Sequence, residues 1–446
     1  MSKQHLSTCL LLITTLLTAC QDQDHPSDNT APPNIILIMA DDLGHAGIGC
    51  FGNEEIQTPN LDRMAAGGIR FTNFYANSTV CTPTRAALLT GRYQQRSGME
   101  GVIYVKGPTR EVGMSPAEIT VAELLGERGY ATGIMGKWHL GYQPSFFPTE
   151  QGFDEFYGYV SGNIDFHSHY DNAGIYDWWH DQDSLVEEGY VTDLITRHAL
   201  DFIEKNKDQP FFLYIPHEAP HAPYQGRNDL GYRFPGEEFS YYGPVEDKDA
   251  TYREMVEVMD EGIGKIIDRL QQLQLDKNTV VVFISDNGAE RDYGHNGSLR
   301  GWKTNLFEGG IRVPGIVWWP GRIANRTVEQ AVMSFDWMPT FLSLSGTPLP
   351  EDLELDGQDL SALLLENEPL PQRPLFWRYR KQKVIRDGEW KLLVDQDNGS
   401  MLFNLQEDPN ETTDLAPDHP ETVRDLSEKL AAWEREMDTG REMITN

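Results

Sequence analysis

The sequence predicts an α/β fold, a sheet covered by helices on both faces, followed by a smaller antiparallel sheet with a terminal helix. Three observations predict it. The first is a set of short, almost wholly apolar runs at 34–40, 211–215 and 279–285. Each is strand-length and lacks polar alternation, as expected of a strand buried on both faces. The second lies between the last two runs. There Tyr252, Met255, Met259, Ile263, Ile266, Ile267 and Leu270 recur mostly three or four residues apart, which is the stripe of an amphipathic helix. The third is a change of texture after Pro348, where short strand-like pieces replace the long runs.

The elements follow in order. The run 34–40 stops at Asp41-Asp42, the run 211–215 precedes Pro216-His217, and the run 279–285 stops at Asp286-Asn287-Gly288. In open α/β sheets the groups at the carboxyl ends of strands line the site, so these polar pairs are candidates to meet in space. Beyond Pro348, strands are expected at 374–379, 383–386, 390–394 and 401–404, with Asp387-Gly388 and Asn398-Gly399 as turns. Val423, Leu426, Leu430 and Trp433 then mark one face of a closing helix. The chain of 446 residues suits one large domain, 34–347, and a smaller one, 348–446, with the crossing near 347–356.

The charge balance is strongly acidic, 37 Lys+Arg against 69 Asp+Glu, a net −32. Nucleic-acid binding needs a basic face, so that class is excluded. Residues 1–19 read as an export signal: Lys3 precedes an apolar stretch, 9–17, too short to span a bilayer. The stretch ends Leu17-Thr18-Ala19-Cys20, which resembles the lipobox of bacterial lipoproteins, with cleavage by an ordinary signal peptidase as the alternative. The resemblance implies a lipid anchor on Cys20, a polar tether at 20–33, and an exported protein, periplasmic or at the cell surface. Gln21 directly after the lipid site resembles the outer-membrane sorting pattern. With Cys9 removed and Cys20 acylated, Cys50 and Cys81 remain, and no disulfide is expected if Cys81 is reactive.

Chemistry concentrates in a few segments. In Cys81-Thr82-Pro83-Thr84-Arg85, Pro83 suits the first turn of a helix starting just after Cys81. The thiol would then sit at the positive helix end, with a low pKa, and Arg85 could turn back toward it. In the segment Gly136-Lys137-Trp138-His139, an extended chain would place Lys137 and His139 on the same side. Asp41, Asp42, Asp286 and Asn287 offer hard oxygen ligands without sulfur or imidazole, a set for Ca²⁺ or Mg²⁺ rather than Zn²⁺. His221, in Ala219-Pro220-His221-Ala222-Pro223, and Lys303, in Arg300-Gly301-Trp302-Lys303, are further candidates. His217 and His295 are weaker rivals.

These segments resemble a known family. Cys-x-Pro-x-Arg, three residues, then Leu89-Thr90-Gly91 is the signature of the type I sulfatases, members of the alkaline-phosphatase-like superfamily. The stretch from Gly129 to Gly141 is similar to their second signature. The segments Phe307-Glu308-Gly309-Gly310-Ile311-Arg312-Val313-Pro314 and 402–409 are family-like too, so the resemblance runs from about Asn34 to the last helix. It departs at Gly301-Trp302-Lys303, where the family often reads Gly-Gly-Lys.

The resemblance implies a large central mixed sheet between helices, and hydrolysis of sulfate esters. It implies that Cys81 is oxidised to formylglycine by a maturation enzyme. One Ca²⁺ is implied on Asp41, Asp42, Asp286 and Asn287 together with residue 81. A hydroxyl of the hydrated aldehyde would attack sulfur, while Arg85, Lys137 and Lys303 neutralise the transferring group. His221 or Lys303 would protonate the leaving alcohol, and His139 would deprotonate the second hydroxyl to expel sulfate. A sulfated carbohydrate of the marine polysaccharide type is the expected substrate. The aromatic-rich stretch 146–179, with His167, His169, Trp178 and Trp179, is either a sugar-contacting wall or plain packing. A phosphonate or phosphate monoester hydrolase of the same superfamily is the alternative enzyme. A non-catalytic glycan-binding lipoprotein is the alternative of another class.

Overall fold

A computed structural model describes residues 31–237 and 239–439. The export signal, Cys20 and most of the expected tether lie outside them. In chain order the larger part contains β1 (Asn34–Ala40), α1 (Pro59–Ala66), β2 (Ile69–Tyr75), α2 (Cys81–Thr90), α3 (Val121–Glu127), β3 (Ala131–Lys137) and β4 (Glu155–Tyr159). Two short strands follow, β5 (Trp179–His180) and β6 (Asp183–Ser184). Then come α4 (Val191–Lys205), β7 (Phe211–Pro216), α5 (Lys248–Gln272), β8 (Thr279–Ser285), α6 (Glu308–Ile311) and β9 (Arg312–Trp318). The larger part closes with β10 (Arg326–Val328), β11 (Val332–Met333), α7 (Trp337–Ser345) and α8 (Ser361–Glu366).

These strands form one eleven-stranded sheet in the order β10-β2-β9-β8-β1-β7-β3-β4-β5-β6, with β11 also on β2. It is mixed: β1 runs parallel to β7 and β8, whereas β9 is antiparallel to both β8 and β2. The apolar run of β1 explains its place at the centre. Alternate side chains enter different cores, Ile35, Leu37 and Met39 on one face and Ile36, Ile38 and Ala40 on the other. The first core is covered by α2, α3 and α7, the second by α1, α4 and α5. α5 buries the expected stripe and is capped by Asp247, whose carboxylate accepts from the Ala250 N–H at 3.0 Å.

The smaller sheet is β12 (Leu375–Tyr379), β13 (Gln382–Asp387), β14 (Trp390–Asp395) and β15 (Gly399–Asn404), an antiparallel meander. The helix α9 (Pro420–Met437) packs Leu426, Leu430 and Trp433 against it. This third core also takes Tyr75, Tyr93 and Phe335 from the larger part. Between the two sheets, Leu353, Leu360, Leu363 and Leu364 bury into the core under α2, α3 and α7. A buried ion network joins the parts: Lys391 of β14 lies 2.9 Å from Glu308 and 2.8 Å from Glu411. No described helix is long and apolar enough to cross a membrane.

Candidate active site

The site forms where the central strands end. Ala40 and Ser285 are register partners, so Asp41-Asp42 and Asp286-Asn287 emerge side by side. The Asp42 N–H donates to Asp286 Oδ1 at 3.1 Å, and Asn287 Nδ2 donates to Asp42 Oδ1 at 2.7 Å. Gly288 follows because only a bare Cα fits: an added Cβ would meet the Gly309 carbonyl oxygen at 1.8 Å. Cys81 opens α2 as its first residue, one position earlier than the sequence suggested, with Val80 as the extended cap. Its side chain reaches a cavity of about 220 Å³ whose wall includes Ile103, His139, Tyr142, His221, Tyr241 and Lys303.

The three cations expected at this site each pair with a carboxylate, and Arg85 also lies 3.6 Å from Asp41 Oδ2. Lys137 Nζ lies 2.5 Å from Asp41 Oδ2, Lys303 Nζ 2.7 Å from Asp42 Oδ2, and Arg85 Nη2 2.8 Å from Asp286 Oδ2. Arg85 also donates to the Lys137 carbonyl at 3.2 Å, tying the end of β3 to α2. Buried charges persist only when paired, and here every pair is complete. Against burial, the carboxylates of Asp286 and Asp41 keep the Arg85 guanidinium charged, and Asp42 holds Lys303 well above the ordinary lysine range. Burial and the charge of Asp41 push Asp286 up to about 6.

The sequence expected a thiol of lowered pKa at Cys81. Burial raises it instead, outweighing Lys137 and Lys303 nearby. The second correction concerns Lys137 and His139. β3 ends at Lys137, and His139 has φ 59 in the left-handed region. The left-handed backbone just past the strand, rather than alternation within it, therefore directs His139 onto the cavity wall that Cys81 also lines. There His139 Nε2 bonds the Ile103 carbonyl at 2.9 Å while Nδ1 is buried without a partner. Gly162 packs flat on that ring, since a Cβ there would come within 2.8 Å of it. His221 sits with Nε2 3.7 Å from Asp42 Oδ2 and 3.3 Å from the Tyr241 hydroxyl. Burial, followed by the charge of Lys137 for His139 and of Lys303 for His221, holds both imidazoles well below their usual pKa.

The residues fit a hard divalent cation. Asp41 Oδ1 and Asn287 Oδ1 are buried without a hydrogen-bond partner, an arrangement that a cation would satisfy. Asp41, Asp42 and His221 also present ligand atoms within 4.8 Å of one another. All the site residues singled out in the sequence converge here. Of the weaker rivals, His217 is fully buried behind the strand ends, and His295 is absent from the cavity wall.

The aromatic stretch 146–179 resolves as packing: Trp178 is fully buried and tilts against His169. What lines the cavity from that stretch is polar, Ser161, Asn163 and Asn172. The aromatic wall is instead Tyr104, Tyr142, Tyr241 and Tyr379, with Glu290 and Arg380 beside it. No periodicity or motif marked these residues as a wall, because three tyrosines stand on separate loops and Tyr379 ends β12. The one legible hint was a tyrosine pair next to a turn glycine, Tyr241-Tyr242-Gly243.

Comparison with known proteins agrees with this geometry. A family profile described as "Sulfatase" matches residues 33–347, and one described as "N-sulphoglucosamine sulphohydrolase, C-terminal" matches 300–436. N-acetylgalactosamine-6-sulfatase of Mus musculus is 37% identical over 392 residues, 81% of this chain and 71% of that protein. Arylsulfatase A of Homo sapiens is 36% identical over 433 residues, 89% of this chain and 82% of that protein. Among solved structures, Ps i-CgsB in complex with k-i-k-neocarrahexaose superposes with a TM-score of 0.84 at 32% identity, covering 93% of this chain and 94% of that one. A phosphonate monoester hydrolase of Agrobacterium radiobacter shares the fold, with a TM-score of 0.66 at 20% identity over 91% of this chain and 96% of that one.

Proposed function

The chain belongs to the sulfatase family and is a sulfuric ester hydrolase, and from that premise we propose that it desulfates a carbohydrate through formylglycine at position 81 and one Ca²⁺. The observation that carries the mechanism is Cys81 at the first turn of α2, reaching a cavity that Lys303 also lines, with Arg85 and Lys137 behind the wall on Asp286 and Asp41. Asp41, Asp42, Asp286 and Asn287 would hold the ion together with residue 81. Once bound, Ca²⁺ supplies Lewis-acid polarisation of a sulfate oxygen and favours an ionised nucleophile.

The chain's own groups do the rest. The first-turn N–H groups of α2 and the guanidinium of Arg85 favour negative charge at residue 81. Lys137 and Lys303 are anchored and water-excluded, so they are preorganised to neutralise the transferring sulfate. Lys303 and His221 stand together over Asp42, where a departing alkoxide would take its proton. His139, neutral and with Nδ1 unpartnered, is placed to accept the proton of the second hydroxyl at residue 81. Carbohydrate is favoured by the tyrosine wall, by the carrahexaose bound in Ps i-CgsB, and by similarity to N-acetylgalactosamine-6-sulfatase.

In this reading residues 34–347 carry catalysis, and the 348–446 segment, whose first part packs into the larger core, supplies part of the wall through Tyr379 and Arg380. Residues 1–19 export the protein, Cys20 bears lipid, and a maturation enzyme converts Cys81. The test is mass spectrometry and turnover together. Protein matured in an oxidising host should yield a residue-81 peptide about 18 Da lighter than its thiol form, by the arithmetic of sulfur oxidation and replacement by oxygen. It should also release sulfate from 4-nitrophenyl sulfate and from sulfated oligosaccharides. Cys81→Ala with full activity, or a preference for phenyl phosphonates, would overturn the proposal.

A further inference from the structure

Resting on the reading of this cavity as a sulfate-ester site, we propose that Arg380 forms a second anion subsite at its mouth, so that the preferred substrate carries a further sulfate or carboxylate close to the one removed. Tyr379 and Gln382 are register partners, so Arg380 and Lys381 make the two-residue turn between β12 and β13. Such tight hairpins demand positive φ, and Arg380 accepts φ 52 where glycine or asparagine is the usual choice. The register fixes where the side chain starts. Its guanidinium carbon then lies over the Tyr379 ring, 5.1 Å from the centroid, and Tyr379 is itself buried in the cavity wall.

Three charged side chains besides Cys81 and the histidines line this cavity: Lys303, Glu290 and Arg380. Lys303 is committed to Asp42. Arg380 makes no ion pair among the described residues, whereas its neighbour Lys381 is neutralised by Asp397 at 2.9 Å and stands outside the cavity. Among the described residues Glu290 is the one carboxylate on the cavity wall. A second anion would be repelled by Glu290 and received by Arg380, so the wall favours an anion placed next to Arg380. Asn163 adds a neutral donor: Arg233 Nη1 occupies its Oδ1 at 3.0 Å, which leaves its amide N–H groups for a ligand hydroxyl. In a chain of net −32, an uncommitted guanidinium at the site mouth has a ready use. Its planar fork suits sulfate or carboxylate better than an ammonium does.

The test is calorimetric binding to full-length Cys81→Ala protein, which cannot turn the ligand over. The probes are matched mono- and disulfated glucosamine, galactosamine and carrageenan-type oligosaccharides. A disulfated member should bind about five- to tenfold tighter than its monosulfated partner, and Arg380→Ala should erase that preference while changing the monosulfated affinity less than about twofold. Arg380→Lys should retain part of it, and Lys381→Ala should retain all of it. A preference that survives Arg380→Ala, or falls equally with Lys381→Ala, would overturn the subsite. If wild-type protein hydrolyses 4-nitrophenyl sulfate yet shows no preference for a second anion, the subsite fails and the sulfatase reading stands. If it hydrolyses no sulfate ester at all, the failure lies with that reading.

Discussion

Replacing Glu411 by glutamine should flatten the fall in stability as pH rises through neutrality. The side chains of Lys391, Glu308 and Glu411 are fully buried, and the single ammonium serves both carboxylates. Glu308 is the better supported of the two. Despite burial it is held well below the usual carboxylate range by Lys391, Arg312 and Arg386, and it accepts a hydrogen bond from the Tyr75 hydroxyl at 2.6 Å. Glu411 is pushed from 4.5 up to about 7, first by burial and, against the pull of Lys391, by the charge of Glu308. Its folded pKa is therefore above its unfolded one, and the native protein holds this proton more tightly. The resulting stabilisation is complete below about pH 4.5 and is lost as pH rises through about 7. A shift of that size corresponds to at most about 3 kcal/mol.

The amide introduced by Glu411→Gln has no proton to lose, so the stability of the variant relative to wild type should climb by up to about 3 kcal/mol between about pH 5 and 8.5. Comparing two proteins cancels every other titration, including that of Asp286. The assay is urea unfolding at several pH values in that interval, read as the difference in midpoint at constant slope. A difference that stays constant across the interval would refute the shared-ammonium argument.

Two further outcomes follow from the site itself. Adding Ca²⁺ to EDTA-treated protein should raise its stability by about 2.7 kcal/mol at about a hundred times the dissociation constant, and Asn287→Ala should remove most of that shift in a thermal melt. Arg85→Met should lower kcat on 4-nitrophenyl sulfate roughly 10²- to 10³-fold, because Asp286 loses its partner and the transferring group loses a fixed donor. Wild-type turnover in that variant would show that Arg85 serves the fold alone.

Much of this was legible in the sequence because strand ends advertise themselves. An apolar run that halts at Asp-Asp or Asp-Asn has few structural excuses, and two of them on neighbouring strands gave the acid cluster. The smaller sheet was legible from its turns, to within one or two residues at each strand end. His139 reaches the cavity by a route that alternation does not show, since a left-handed backbone at a non-glycine residue leaves no trace in side-chain alternation. The thiol of Cys81 went the other way from expectation, because sequence shows a helix start but not how completely the surroundings exclude water. The tyrosines and Arg380 were invisible for a topological reason. They converge from separate loops and from the end of β12, and their closeness depends on how those segments pack.

The position of β1 has a consequence for how the protein is made. It is the first of these strands to leave the ribosome, and it pairs on one edge with β7 and on the other with β8. At roughly 5–20 residues per second, synthesis from Ala40 to Ser285 takes roughly 10–50 s. Throughout that time the Ile35–Met39 ribbon has an open edge, and for most of it two. Ribbons of that composition adhere to one another readily. Any fragment ending before residue 279 would lack the neighbour that closes its central strand, even though Asp41, Cys81, Lys137 and His221 would all be present.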